Sequence, residues 1–324
     1  MSDSIRICIV GCGAVGSLFA ANLAGLDDVE VLAYDVNQEH VDAINANGLR
    51  LSGAGEAVGL LSATTDAGSL PQCDFGLVTT KALHTASAMQ ATAHAFADGA
   101  VATVQNGIGN EEIIAEYVAR VIRGTTFPAG KIIEPGHVQW DVKGGTILGP
   151  FEPKPAQYAD VEWLADAFTR AGMPTNAVAD ARGPQWRKVI FNAATNPVGA
   201  LTGLTHGRVC EDPPLRQFVS GLVDEGKAVA AAQEIQLDAD PEDLIDHAAK
   251  PEVAYEHKAS MLQDVEAKRQ TEVDFLNGGI TRVGERLGVA TPLNAAVWSL
   301  IRGVERSWRQ DGPGASNMNE TDGG

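Results

Sequence analysis

At 324 residues and 44% hydrophobic, the chain is long enough for one large domain or two ordinary ones with a sizeable core. Forty-two acidic side chains against 24 basic ones leave a net charge of −18, a surface that repels nucleic acid and anionic membranes. No apolar run approaches the ~20 residues needed to span a bilayer, so neither a membrane nor nucleic acid is an expected partner.

The chain starts MSDSIRICIVG. It has no basic segment before a long apolar stretch, so the short run from Ile5 to Val10 reads as a strand rather than a secretion signal. Cys8, Cys12, Cys73 and Cys210 are scattered, and no second pair or His cluster completes a metal site. They read as reduced thiols of a cytoplasmic protein, and no metal is expected.

The stretch IRICIVGCGAVGSLFAANLAG joins that strand to a helix through Gly11, Gly13 and Gly16, spaced G-x-G-x-x-G. The first glycine permits the tight turn, the second lets a pyrophosphate approach the backbone, and the third lets helix and strand pack closely. Helix N-terminal N–H groups and the dipole favour the phosphates. With Cys12, Ala14 and Val15, these glycines make up the expected dinucleotide loop; the alternative is a glycine-rich turn without a ligand. The next strand, 29–34, runs into Asp35, nineteen residues beyond Gly16. An acid there fits the adenosine ribose hydroxyls and repels a 2′-phosphate, which favours NAD(H) over NADP(H). Alternatively, Asp35 only caps the helix expected near Gln38. Lys81 closes a strand at 75–80, where it either meets a phosphate or the adenine, or simply faces solvent.

A further strand at 100–104 leads into VQNGIGN, which places Asn106 at a carboxyl strand end beside the expected nicotinamide; Asn-Gly is also a common turn. Helical periodicity over 15–26, 39–47, 85–96 and 111–119 alternates with the strands, which argues for a parallel sheet covered by helices. From 123 to 149, Gly and Pro punctuate short segments that read as antiparallel strands appended to that sheet. A helix at 156–171 and a last strand at 175–179 follow. Beyond Ala181 only helices are expected, at 184–200, 213–235, 241–249 and roughly 260–308. The expected architecture is therefore an α/β, Rossmann-type dinucleotide-binding domain at 1–180, an all-helical domain at 181–310, and a disordered tail at 311–324.

Within PQWRKVIFNAATNP, Lys188, Asn192 and Asn196 stand four apart in a mostly apolar helix. They share one face. Buried polar groups left without partners cost about 1–3 kcal/mol each, so either protein groups or a polar ligand must satisfy them. In ASMLQDVEAKRQTEVDFLNG, Ser260 and Gln263 fit a capping box opening a long helix, whose start suits a carboxylate. Asp264, Lys268 and Glu272 would share a stripe on that helix, and an exposed ion-pair ladder is the plain alternative.

These strings together, GCGAVG, Q-N-G, K-x-x-x-N-x-x-x-N-P and SMLQD…TE, resemble the ketopantoate reductase (2-dehydropantoate 2-reductase) family. The resemblance implies a cleft enzyme that reduces the 2-oxo group of 2-dehydropantoate to (R)-pantoate for coenzyme A synthesis. By that resemblance, Lys188 is the general acid, Glu272 the active-site carboxylate, and Asn106 lies at the nicotinamide and substrate carbonyl. Asn192, Asn196, Ser260 and, by a looser match, Glu225 are implied substrate contacts. A dimer through the helical half fits the same picture. Two departures stand out. The family's usual NADPH goes with a basic residue where this chain has Asp35, a feature that fits NAD-dependent D-2-hydroxyacid dehydrogenases of the same family. His206 stands where the pattern often has Asn, as a ligand contact or a loop residue. β-Hydroxyacid dehydrogenases also carry a Lys-x-x-x-Asn helix, but the Q-N-G and SMLQD segments disfavour that reading. A non-catalytic nucleotide-binding module would need neither Lys188 nor Glu272.

Overall fold

A computed structural model of the chain describes residues 4–310; the tail expected to be disordered lies outside the described residues. The chain divides into two compact units, Met1–Gln185 and Trp186–Gly324. The division falls a few residues after the expected boundary near 180, because the helix that begins at Arg182 keeps its first turn with the first unit.

In the first unit the order is β1 (Ile5–Val10), α1 (Ala14–Leu23), β2 (Val29–Tyr34), α2 (Gln38–Asn47), β3 (Leu49–Gly53), β4 (Ala57–Gly59), β5 (Ser62–Thr64), β6 (Phe75–Val78), α3 (Thr85–Thr92), β7 (Ala100–Thr103), α4 (Asn110–Ala115), β8 (Val121–Thr126), β9 (Ala129–Glu134), β10 (His137–Val142), β11 (Thr146–Pro150), α5 (Tyr158–Arg170) and β12 (Thr175–Ala177). The main sheet runs β12-β11-β8-β7-β6-β1-β2-β5. From β8 to β5 all pairings are parallel, while β11 lies antiparallel to β8. The apolar runs of β1, β6 and β7 are buried on both faces, as expected of parallel strands covered by helices.

Strand β1 sits between β2 and β6, so the connection reverses direction there. This is the switch point at which open α/β sheets bind ligands. Val10 pairs with Tyr34 and with Val78, and Val78 with Thr103. The residues that follow, Gly11, Asp35, Thr79 and Val104, therefore emerge side by side at one carboxyl edge.

The segment 123–149 does not simply extend this sheet. Strands β9 and β10 form a hairpin in a separate four-stranded sheet, ordered β4-β3-β10-β9, with β10 parallel to β3. Strands β3 to β5 have no counterpart in the sequence reading, because LSGAGEAVGLLSAT is too short in its alternations and too rich in glycine to stand out. This second sheet covers α1. A Cβ on Gly59 would fall 2.6 Å from Ala21 Cα, so only glycine admits that approach. His40, buried on α2, fastens the hairpin, its Nδ1 accepting the Gly136 N–H at 3.0 Å.

The second unit is helical: α6 (Arg182–Thr202, shared across the division), α7 (His206–Glu211), α8 (Pro213–Ala232), α9 (Pro241–Ala248), α10 (Ser260–Glu266), α11 (Asn277–Leu287) and α12 (Pro292–Gln310). Its core joins Val189, Ile190, Val223, Val229, Ile280, Val297 and Ile301, all buried. Asp212 and Asp240 cap α8 and α9, each ahead of a proline at the first helical position. Gly226 lets α8 close on α6, where a Cβ would meet Ile190 at 2.8 Å.

The single long helix expected from 260 to 308 is three helices. The chain leaves α10 at Lys268, whose φ is +50°, outside the helical range, and turns before α11. Among the described residues, no helix is long and apolar enough to cross a membrane.

Candidate active site

Each unit carries its own group of the expected residues. In the first, the glycine loop closes a tight turn between β1 and α1. Gly11 adopts a φ of +90°, and a Cβ there would fall 2.5 Å from the Thr80 side chain. At Gly16 a Cβ would fall 2.3 Å from the Gly11 carbonyl oxygen, which itself accepts a 2.7 Å hydrogen bond from Thr79 Oγ1. Gly13 differs: a Cβ would meet nothing within 4 Å. The loop and strand thus need Gly11 and Gly16 for packing, while Gly13 opens onto space at the start of α1. The helix has no side-chain cap there and no acid in its first turn, leaving its first N–H groups and its dipole for an anion. Gly13, Ala14 and Val15 are half-buried, while Cys12 is buried. Its thiol points inward to Ser17, and burial pushes its pKa up to about 12. Cys12 can therefore serve a ligand only through its backbone.

Asp35 is half-buried. It is not the cap of α2: Asn37 holds that role, accepting the His40 N–H at 3.2 Å, while Asp35 Oδ1 accepts the Asn37 N–H at 2.9 Å. One carboxylate oxygen is thus committed to shaping the loop at the strand end. Lys81 is exposed, just beyond β6. Asn106 follows β7 in a turn with Gly107 at φ +90° and Gly109 at φ +102°, both in the region that favours glycine. Asn110 Nδ2 donates to the Asn106 carbonyl at 3.1 Å. Gln105, which opens the Q-N-G string, has a structural role that its spacing does not signal. Its Nε2 donates to Thr80 O at 2.8 Å and Thr85 Oγ1 at 2.9 Å, tying the ends of β6 and β7 together. A glutamine beside Asn-Gly has no spacing signal of its own. The glycine cradle and the row of strand ends fit a dinucleotide.

In the second unit, Lys188, Asn192 and Asn196 do share one face of α6. Lys188 is half-buried, and Asn192 and Asn196 are buried. Enclosure by protein lowers the Lys188 pKa to about 8, and the negative charge of Glu272 opposes that fall. Glu272 is buried, and it is not on a helix with Lys268 and Asp264, so the exposed ladder does not exist. It sits in the turn between α10 and α11, which hydrogen bonds pin to α12: Thr271 donates to Glu305 from its N–H at 2.8 Å and from Oγ1 at 2.6 Å, and Trp298 Nε1 donates to Asp274. Asp264 instead accepts from Arg269 at 3.1 Å.

Three expectations change here. The S-x-x-Q box does not form: Ser260 is exposed and is the first helical residue, Ala259 occupies the cap position, and Gln263 Nε2 donates to Lys258 O at 2.9 Å. Glu225, read as a substrate contact, is committed elsewhere. Its carboxylate accepts the Leu293 and Asn294 N–H groups at 2.8 and 2.9 Å and so caps α12. His206 opens α7 rather than lying in a loop. It is buried, bonds Ile245 O through Nε2 at 3.1 Å, and has its pKa lowered by burial. That is a brace between α7 and α9.

Comparison with known proteins identifies the family. Residues 7–153 match the family model described as ketopantoate reductase PanE/ApbA, and residues 180–305 match its C-terminal model. A 2-dehydropantoate 2-reductase from Archaeoglobus fulgidus is 35% identical over 303 residues, covering 93% of this chain and 98% of the relative. Among solved structures, a PanE/ApbA family ketopantoate reductase from Ralstonia eutropha JMP134 superposes with a TM-score of 0.83 at 30% identity, covering 94% of this chain and 100% of that one. D-Mandelate dehydrogenase in its ternary structure with NADH and anilino(oxo)acetate gives 0.85 at 28% identity, with the same coverage. The two family models span most of both units, and the chain belongs to the ketopantoate reductase family.

Proposed function

We propose that this chain reduces the 2-oxo group of 2-dehydropantoate to give (R)-pantoate, a coenzyme A precursor, with Lys188 as the general acid. An oxidoreduction of a 2-oxo acid is the reaction class that the family brings. The observation that carries the finer reading is the polar stripe of α6, in which Asn192 and Asn196 are buried and the lysine has its pKa drawn to about 8 beside Glu272. An ammonium tuned close to neutral pH gives up a proton far more readily than one at the ordinary value of about 10.4.

The glycine loop, with Gly11, Gly13 and Gly16, together with Asp35, would hold a nicotinamide dinucleotide, and Asp35 favours NAD(H). Such a cofactor, when bound, supplies a hydride for the C2 carbonyl carbon. Lys188 stabilises the negative charge growing on the carbonyl oxygen and then protonates it. Glu272 keeps the lysine charged until that moment. Asn192 and Asn196 offer amides to the substrate's hydroxyl and carboxylate groups, Ser260 offers an exposed hydroxyl at a helix start, and Asn106 holds the carbonyl end.

A second reading has its own support. Asp35 and the likeness to D-mandelate dehydrogenase with NADH fit an NAD-linked D-2-hydroxyacid dehydrogenase acting on another 2-oxo acid. A panel of 2-oxo acids including 2-dehydropantoate, run with NADH and with NADPH, separates the two. The first reading expects 2-dehydropantoate to give the highest kcat/KM; a clearly better 2-oxo acid would replace it with the second.

A further inference from the structure

Helix α6 has a proline inside it, Pro197, directly after Asn196. Proline has no N–H, so the carbonyl four residues back, Ala193, loses its helical donor. That carbonyl lies between Asn192 and Asn196 in the chain. It is not left bare: Asn277, the first residue of α11, donates to it from Nδ2 at 2.8 Å. The second Nδ2 hydrogen goes to Asn294 Oδ1 at 2.9 Å. Asn294 in turn donates to Glu225 at 2.8 Å and to Leu222 O at 3.3 Å. Both asparagines are fully buried. A run of donors thus leads from the carboxylate that caps α12 to the break in α6.

The Asn277 amide is spent on its donor side, since its Oδ1 is buried without a hydrogen-bond partner. An acceptor turned toward the Ala193 carbonyl would face another acceptor, so the amide has one workable orientation. A buried acceptor left unpaired is unfavourable, and Asn277 tolerates it to keep both donors in place. Prolines bend helices by an angle that their surroundings set. Here the surroundings at the freed carbonyl are Asn277.

We propose that Asn277 is a positioning residue for substrate recognition. It supplies the N–H that Pro197 lacks, and so fixes the turn carrying Asn196 relative to the turn carrying Lys188 and Asn192. The inference rests on the reading of Asn192 and Asn196 as substrate contacts.

The test is a cycle of Asn277→Leu, Pro197→Ala and the double variant. It is assayed with the preferred 2-oxo acid of the panel above, alongside Asn192→Ala and Asn196→Ala. Asn277→Leu removes both donors at similar size, and KM for the 2-oxo acid should rise about tenfold, the scale of a lost buried hydrogen bond, with kcat and cofactor Kd changing far less. In the double variant, the alanine that replaces Pro197 brings its own N–H to the Ala193 carbonyl, and KM should recover most of the way. A residue that only stabilises the fold would lower the melting temperature with no such split in KM and no recovery. If Asn192→Ala and Asn196→Ala leave KM unchanged, the reading of the stripe fails and this inference with it. If they raise KM but Asn277→Leu does not, or if the double variant shows no recovery, the inference alone is overturned. Should Asn277→Leu fail to fold, Asn277→Ser, whose hydroxyl falls short of Ala193, takes its place, and a wild-type KM there overturns the inference equally.

Discussion

Glu272 acts on Lys188 across a turn and a helix: burial draws the ammonium's pKa down to about 8, and the carboxylate's charge resists that fall. A general acid works only while protonated, so the rate of carbonyl reduction should be flat on the acid side and fall as pH rises through about 8. Glu272→Gln removes the charge that favours the ammonium, so the fall should move to lower pH. A kcat profile of the two proteins checks this, and coincident profiles would detach Glu272 from Lys188. Stability carries the opposite trend. The unfolded lysine, at about 10.4, binds its proton more tightly than the folded one. Lys188 therefore costs stability at neutral pH, and the cost is relieved as pH climbs from the folded toward the unfolded value.

Gly13 and Gly16 should respond differently to the same substitution. Gly16→Ala forces a methyl to within 2.3 Å of the Gly11 carbonyl, and it should cost about 1–3 kcal/mol in stability, the usual scale for overpacking. Gly13→Ala meets nothing within 4 Å, so its melting temperature should stay near that of the parent. Its affinity for the dinucleotide should still drop about tenfold or more, since the methyl takes up the space where a pyrophosphate reaches the backbone. Thermal melts with and without NADH measure both. Unchanged affinity in Gly13→Ala would place the phosphates elsewhere.

Asp35 should set the cofactor. The parent is expected to use NADH in preference to NADPH, and Asp35→Ser should narrow that preference about tenfold or more by removing the repulsion of a 2′-phosphate. The ratio of kcat/KM for the two cofactors reads it directly. Because Asp35 also accepts the Asn37 N–H, serine, which keeps a short acceptor, is a gentler replacement than alanine.

The sequence makes the parallel core and the glycine loop plain, since long apolar strands and a G-x-G-x-x-G turn report their own neighbours. The α6 stripe is legible for a similar reason: a helix fixes which residues share a face. Elements that depend on distant partners are not legible. The β3–β4 hairpin is a strand pair only because β10 lies beside it. Glu272 reads as one step of an exposed ladder until the break at Lys268 takes it off the helix. Glu225 looks like an available acid until α12 arrives with two bare N–H groups to cap. Asn277 gives no signal at all in the sequence, because its role is defined by a hydrogen that a proline on another helix does not have.

The most direct test of the account is Lys188→Ala, with steady-state reduction of 2-dehydropantoate measured beside cofactor binding by fluorescence titration. Turnover should fall by about two to four orders of magnitude, the range for losing a general acid, with nicotinamide affinity little changed. Turnover close to that of the parent would contradict it.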